Sequence, residues 1–345
     1  MAKEKVLVGM SGGVDSSVAA AILLEQGYEV AGVTLKLHSY NSGNEQDICD
    51  ARSVCEKLGI PHFIFDLSKD FKERVVNSFV NEYISGRTPN PCIVCNKYIK
   101  FGKMLEKAQE MGFDKIATGH YSRTENQSGR WLLYRCSDKD QSYVLYSLTQ
   151  YQLSKTLFPL GKLSKEQVRK KAQDLGFVNA EKPDSQDICF VCDGDYAEFI
   201  EEVTGKISEK GSFVDRSGNI LGEHNGIIRY TVGQRKGLGI ALGKPAFVLE
   251  KNLQNNQIVL GDEPELFYKT VKLKDVNFIS FDDIAVPLRV TAKLRYRHTE
   301  QPALIVKKAE NEYELCFDEP QRAPSPGQAA VFYNGDEVIG GGTII

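Results

Sequence analysis

Two groups of residues in this 345-residue chain have the types and spacing to do chemistry. The first is Ser11-Gly12-Gly13-Val14-Asp15-Ser16-Ser17, set between an apolar run, Lys5-Val6-Leu7-Val8-Gly9, and a helix-like stretch from Asp15 to Gln26. The two glycines let the backbone turn tightly and bring its N–H groups to a ligand. The helix that follows points its positive dipole end at the loop, and the serines add hydroxyls. The pattern describes an anion site, most simply one for phosphate. The plain alternative is an ordinary turn with a helix cap, which would not need the whole heptapeptide. The loop is not the mononucleotide P-loop, because that motif requires a lysine that is absent here.

The second group is made of thiols. Of eight cysteines, Cys92/Cys95 and Cys189/Cys192 have C-x-x-C spacing. Cys49, Cys55, Cys136 and Cys316 stand alone and are expected to be packing thiols. Pro89 and Pro91 stiffen the approach to Cys92 and Cys95. A helix predicted over Asn96–Met111 would place Cys95 beside a helix N-terminus, which favours the thiolate. Three readings are open: four inert thiols, a zinc site with all four as ligands, or sulfur and redox chemistry beside the anion loop. A zinc site usually separates its pairs by about 15–20 residues, whereas 93 residues lie between Cys95 and Cys189.

The first 120 residues alternate between short apolar strands (5–9, 29–37, 62–65, 115–118) and amphipathic helices (15–26, 47–58, 70–83, 96–111), which predicts a parallel sheet covered on both faces. Leu35 and the Gly119-His120 turn then fall at the carboxyl edge of the sheet, where open α/β sheets bind ligands. Ser164 and Gln167 have capping-box spacing for one more helix. From residue 211 onward the chain reads as β-rich, with turn signals and no helix. The expected division is 1–200, 201–264 and 265–345.

Composition excludes several classes. At 41% hydrophobic and 26% charged the chain is globular. It has no run of 18 apolar residues for a membrane helix and no signal-peptide core after Met1, so a cytoplasmic location without membrane partners is expected. A net charge of −3 shows no basic footprint for nucleic acid in the total. The total hides local clusters: between Glu223 and Glu250 the charged residues are Arg229, Arg235, Lys236 and Lys244, and Lys293, Arg295 and Arg297 are interleaved with Tyr296 and His298.

The phosphate loop resembles the signature of the PP-loop ATP pyrophosphatases. With Arg87-Thr88-Pro89-Asn90-Pro91, Cys95-Asn96-Lys97, Thr118-Gly119-His120-Tyr121, Lys139-Asp140-Gln141-Ser142-Tyr143, Ser185-Gln186-Asp187-Ile188-Cys189-Phe190, Gly233-Gln234-Arg235-Lys236-Gly237-Leu238-Gly239, Arg295-Tyr296-Arg297 and Pro326-Gly327-Gln328, the chain resembles the tRNA-specific 2-thiouridylases nearly end to end. The resemblance implies a PP-loop (adenine nucleotide α-hydrolase-like) parallel-sheet domain, then a β-rich linking domain and a C-terminal β-barrel. It implies that ATP adenylates the C2 oxygen of the wobble uridine in tRNA, and that sulfur replaces that oxygen.

It also implies roles. Gly9, Met10, Ser11, Gly12, Gly13, Val14, Asp15, Ser16, Leu35 and Gly119 would hold ATP, with Asp15 a partner of Mg²⁺. Cys189 would carry a persulfide received from a sulfur donor, a cysteine desulfurase or a relay protein; inorganic sulfide is the other donor considered. Cys95 would be the second catalytic cysteine and nucleophile, completing the exchange through a Cys95–Cys189 disulfide. Asn90, Pro91 and Cys92 would border the target base. His120, Lys139, Asp140, Gln141, Arg295, Tyr296 and Gln328 would contact tRNA. Many members of the family carry Asp where this chain has Cys92. Cys92, Cys95 and Cys189 together resemble the triad that holds a [4Fe-4S] cluster with one open iron in related thiolation enzymes, so a cluster-bound hydrosulfide is the alternative to the persulfide. Two further alternatives are an amidotransferase-type synthetase, which would need no cysteine pair, and a zinc-stabilised RNA-binding protein, which would need no phosphate loop.

Overall fold

The computed structural model describes residues 3–38, 43–184, 188–191 and 194–345. Ser185, Gln186, Asp187 and Cys192 lie outside them. The N-terminal part contains five parallel strands: β1 (Lys5–Gly9), β2 (Glu29–Lys36), β3 (His62–Asp66), β4 (Lys115–Ala117) and β7 (Thr156–Leu157), in the order β3-β2-β1-β4-β7. Val6, Leu7 and Val8 are fully buried because helices cover both faces, as an all-parallel sheet requires. The chain runs outward from β1 through β2 to β3, then returns to pair β4 on the other side of β1. That reversal opens a crevice at the carboxyl ends of β1 and β4. Helix α1 (Val14–Glu25) follows β1, and α2 (Gly43–Leu58) follows β2.

Two features depart from the sequence expectation. The helix carrying the first cysteine pair starts at Pro91, with Asn90 as its cap, and runs on through a π-helical stretch, Asn96–Lys103, and Met104–Glu110. Proline is suited to the first helical position, where its missing N–H costs nothing, so the helix begins five residues earlier than the apolar periodicity suggests. In addition, β5 (Arg123–Gln127) and β6 (Arg130–Tyr134) form a hairpin that does not join the parallel sheet. Cys55 and Cys136 are buried as expected of packing thiols, but Cys49 is exposed on α2.

A helix, Tyr196–Thr204, crosses residue 200 and ends at Gly205 in the left-handed conformation. A four-stranded sheet follows, with β8 (Gly211–Val214), β9 (Ile220–His224), β10 (Phe247–Asn252) and β11 (Gln257–Gly261) in the order β10-β11-β8-β9. The last part is antiparallel: β12 (Phe267–Phe278), β13 (Leu288–Lys293), β14 (Gln301–Ala309), β15 (Glu312–Arg322), β16 (Ala329–Asn334) and β17 (Glu337–Ile344). β12 pairs with both β15 and β17, which closes the six strands into a barrel around Leu273, Ile305, Leu315 and Phe332. The β5–β6 hairpin is attached to β17 through Tyr134 and Glu337. Among the described residues no helix is long and apolar enough to cross a membrane.

Candidate active site

The phosphate loop follows β1 into the crevice. Gly12 has φ +71°, and a Cβ there would meet the Asp47 carbonyl oxygen at 2.6 Å, so only glycine fits. The loop is braced from within: Ser16 Oγ accepts from the Ser11 N–H (3.1 Å), and the hydroxyls of Ser16 and Ser17 donate to the Gly13 carbonyl. It is also braced from behind. The buried Asn179 amide donates to the Gly12 carbonyl (2.9 Å) and to Ser17 Oγ (3.0 Å). Thr34 Oγ1 donates to the Met10 carbonyl (3.0 Å) and hydrogen-bonds His62 Nε2 at 2.9 Å. Leu35 follows Thr34 near the end of β2. Gly119, after β4, approaches so closely that a Cβ would lie 2.7 Å from the Asp15 carbonyl carbon and the Ser16 nitrogen. Gly9, Met10, Ser11, Gly12, Gly13, Val14, Asp15, Ser16 and Gly119 thus meet in one cradle.

Both carboxylate oxygens of Asp15 are occupied. Oδ1 accepts from Lys165 (2.6 Å) and the Tyr121 hydroxyl (2.9 Å), and Oδ2 accepts from Lys139 (3.0 Å). A divalent cation does not fit this carboxylate while two ammonium groups hold it.

The cysteines lie on the neighbouring helix and the loop facing it. Asn90 Oδ1 caps the Cys92 N–H at 3.1 Å. Cys95 lies one turn further in and is buried, whereas Cys92 and Cys189 are exposed. The loop bearing Cys189 is anchored by its neighbour Phe190, whose ring packs edge-on against Phe71 and Phe79. Burial pushes the Cys95 thiol up to about 12; Cys92 and Cys189 are raised too, Cys189 to about 11, because protein packed around their sulfurs strips water from the thiolate even though the residues reach the surface. This overturns the expectation of a thiolate at Cys95: the helix starts at Pro91, so Cys95 is one turn inside it in an apolar wall. The Cys92 charge adds to the rise at Cys95 and Cys189, the Cys189 charge adds to it at Cys95, and Lys100 is the cation that opposes the shift at all three. Among the described residues no disulfide joins Cys95 to Cys189. Among the described residues no group of three or more His, Cys, Asp or Glu is arranged to hold a metal ion.

Many of the residues expected to meet tRNA have internal partners. The Arg295 guanidinium donates to the Val232 and Ala323 carbonyls and to Ser325 Oγ. Gln328 donates to the Thr88 carbonyl (2.7 Å), and the Gln141 side chain accepts from the Tyr121 N–H. Asp140 caps Ser142, and its carbonyl accepts from the Tyr296 hydroxyl at 3.0 Å. Burial holds His120 neutral; its Nδ1 pairs with Thr118 Oγ1 at 2.8 Å. Lys139 turns to Asp15 and Asp184. Arg229 pairs with Glu201 at 2.7 Å rather than facing outward with Arg235. Sequence reading assigns no role to Asn179 or Lys165, nor to Tyr121 within the Thr118-Gly119-His120-Tyr121 motif; each acts through a contact distant in the chain.

Family models match the whole length in three parts: a tRNA methyl transferase HUP domain over residues 4–193, a tRNA methyl transferase PRC-barrel domain over 197–262, and an aminomethyltransferase beta-barrel domain over 268–344. The tRNA-specific 2-thiouridylase MnmA of Acetivibrio thermocellus is 53% identical, with both chains covered completely. The chain belongs to the tRNA-specific 2-thiouridylase family. The MnmA protein of Clostridioides difficile is 50% identical over 99% of this chain and 98% of its own. Among solved structures, the U34-tRNA thiolase NcsA from Methanococcus maripaludis, with its [4Fe-4S] cluster, aligns with 59% of this chain and 68% of its own at 21% identity and a TM-score of 0.38. That likeness is too distant to bear on the site.

Proposed function

We propose that this enzyme makes 2-thiouridine at the wobble position of tRNA. The uridine C2 oxygen attacks the α-phosphorus of ATP held in the Gly9–Ser16 cradle, and pyrophosphate leaves. Adenylation is needed because an amide-like C2 is a poor electrophile until its oxygen becomes a good leaving group. The terminal sulfur of a Cys189 persulfide then attacks C2. Cys95 attacks Sγ of Cys189, the bond from that Sγ to the transferred sulfur breaks, and AMP leaves with the C2 oxygen. A Cys95–Cys189 disulfide remains, to be reduced by an external thiol. The base must be splayed from the anticodon to enter, as single-stranded RNA bases commonly are. Asn90, Pro91 and Cys92 border it, and residues 1–200 carry the reaction, with 201–264 and 265–345 backing the RNA. A tRNA substrate puts the reaction in the cytoplasm.

One observation carries this reading. The Thr118–Tyr121 turn joins the two halves of the chemistry: Gly119 abuts Asp15 and Ser16, and the adjacent His120 ring packs 5.8 Å from Phe101, on the helix that carries Cys95. Methyl transfer, named by two of the family models, would leave both the phosphate cradle and the thiols without a task.

The test is pyrophosphate release with a uridine-bearing anticodon stem, tRNA lacking that uridine, and small amide acceptors. Release should depend on the uridine, and release with small acceptors in place of tRNA would sink the reading. Anaerobically purified protein should thiolate tRNA from a persulfide donor without bound iron. Activity that tracks iron and sulfide content would instead assign the sulfur to a cluster.

A further inference from the structure

Asp15, Lys139, Lys165 and Asp184 close a ring of four ion pairs beside the phosphate loop. Lys165 Nζ lies 2.6 Å from Asp15 and 2.7 Å from Asp184. Lys139 Nζ lies 3.0 Å from Asp15 and 2.8 Å from Asp184. The four side chains are between 16% and 29% exposed, so the ring is sheltered yet still open to a ligand.

Stability alone explains this ring poorly. Exposed pairs contribute little, and sheltered ones lose in desolvation much of what they gain. Lys139 also holds its backbone at φ +48°, a left-handed conformation that a residue with a Cβ adopts only at a cost. Such strain is kept where a side chain must reach a particular place. Lys165 is the first residue of a ten-residue helix, and Asp15 is the second residue of α1. Helix N-termini repel cations and attract anions. Two ammonium groups are therefore held by two carboxylates where the backbone field favours a negatively charged ligand.

We propose that Lys139 and Lys165 bind the β- and γ-phosphates of ATP and neutralise the departing pyrophosphate, while Asp15 and Asp184 hold the two ammonium groups in place until nucleotide arrives. This rests on the ATP-dependent reading above. When the bond from the α-phosphorus to the bridging oxygen breaks, the electron pair goes to pyrophosphate, and the two ammonium groups meet the charge formed there. Lys139 is thereby assigned to nucleotide rather than to tRNA, and Asp15 becomes a positioning residue for lysines.

The experiment is calorimetric titration of the full chain with ATP, AMP and inorganic pyrophosphate, with a thermal melt of every variant. Lys165→Met and Lys139→Met should each weaken ATP and pyrophosphate about tenfold or more and leave AMP within roughly twofold, since a hydrogen bond to a charged group is worth at least that factor. Lys165→Arg should keep most of the affinity. Asp184→Asn loosens one anchor of both lysines, so it should weaken ATP and pyrophosphate less than either methionine variant does, at an unchanged melting temperature. If both methionine variants bind pyrophosphate like the parent, the assignment is overturned and the ATP reading stands. If Asp184→Asn loses ATP affinity in parallel with melting temperature, the ring is merely structural. If the parent chain binds neither ATP nor pyrophosphate, the ATP reading falls and takes this inference with it.

Discussion

The side-chain amide of Gln328 donates to the carbonyl of Thr88 at 2.7 Å, and the Thr88 N–H donates in turn to the Pro326 carbonyl at 2.7 Å. The barrel thereby fixes the loop that leads into Cys92 and Cys95. Gln328→Ala should remove a bond worth about 1 kcal/mol and let the loop drift. Single-turnover thiolation should slow while ATP affinity holds. An equal loss in both would place the effect elsewhere.

The cradle makes a steric prediction. In Gly119→Ala the new methyl meets backbone of Asp15 and Ser16 at 2.7 Å, and overpacking of this kind costs about 1–3 kcal/mol. ATP binding should weaken with little change in tRNA binding. Asn179→Ala should act in the same direction by freeing the buried carbonyl of Gly12. Calorimetry with ATP on both variants checks this, and unchanged affinity in both would count against the cradle.

The thiols predict how the resting enzyme reacts. With Cys189 pushed up to about 11, its thiolate fraction should rise about tenfold per pH unit between roughly pH 7 and 9, without levelling off. Mass-spectrometric rates of iodoacetamide labelling at this exposed cysteine read that slope directly. A plateau near neutrality would show a preformed thiolate.

Acid stability follows from the histidines. All five, His38, His62, His120, His224 and His298, are held below the usual imidazole value, burial being the largest cause at each. A depressed folded-state pKa means the unfolded chain binds protons first as pH falls through about 6.5. Stability is therefore complete above that value and lost below it. Asp50 and Asp184, whose lysine partners hold them below the usual carboxylate range, titrate in a lower window. Urea midpoints should fall between about pH 7 and pH 5, and a constant midpoint would contradict the burial.

The parallel sheet and its loop are legible in sequence because each strand is a short apolar run and each helix has its own period. Ser164 and Gln167 form the capping box their spacing implies. What sequence reading misses is non-local. Arg123-Thr124-Glu125-Asn126-Gln127 has no apolar alternation, because it is an edge strand with little to bury. The helix at Tyr196 carries its own signals in Asp195 and Gly205, but it lies where composition changes and the α/β alternation has ended. The tRNA-facing set is the least legible. A motif records that Arg295 or Gln328 is required, not whether it meets RNA or the chain's own carbonyls.

The β5–β6 hairpin has a consequence for how the chain is made. Tyr134 waits for Glu337, which emerges from the ribosome about 10–40 s later at about 5–20 residues per second. During that interval the hairpin is an unpaired edge. Arg123, Glu125 and Arg130, placed on its strands, are the charges that discourage a neighbouring chain from pairing with it first. Strand β17 thus docks onto one of the earliest hairpins late in synthesis, and a chain truncated before β17 should be found by chaperones at the hairpin.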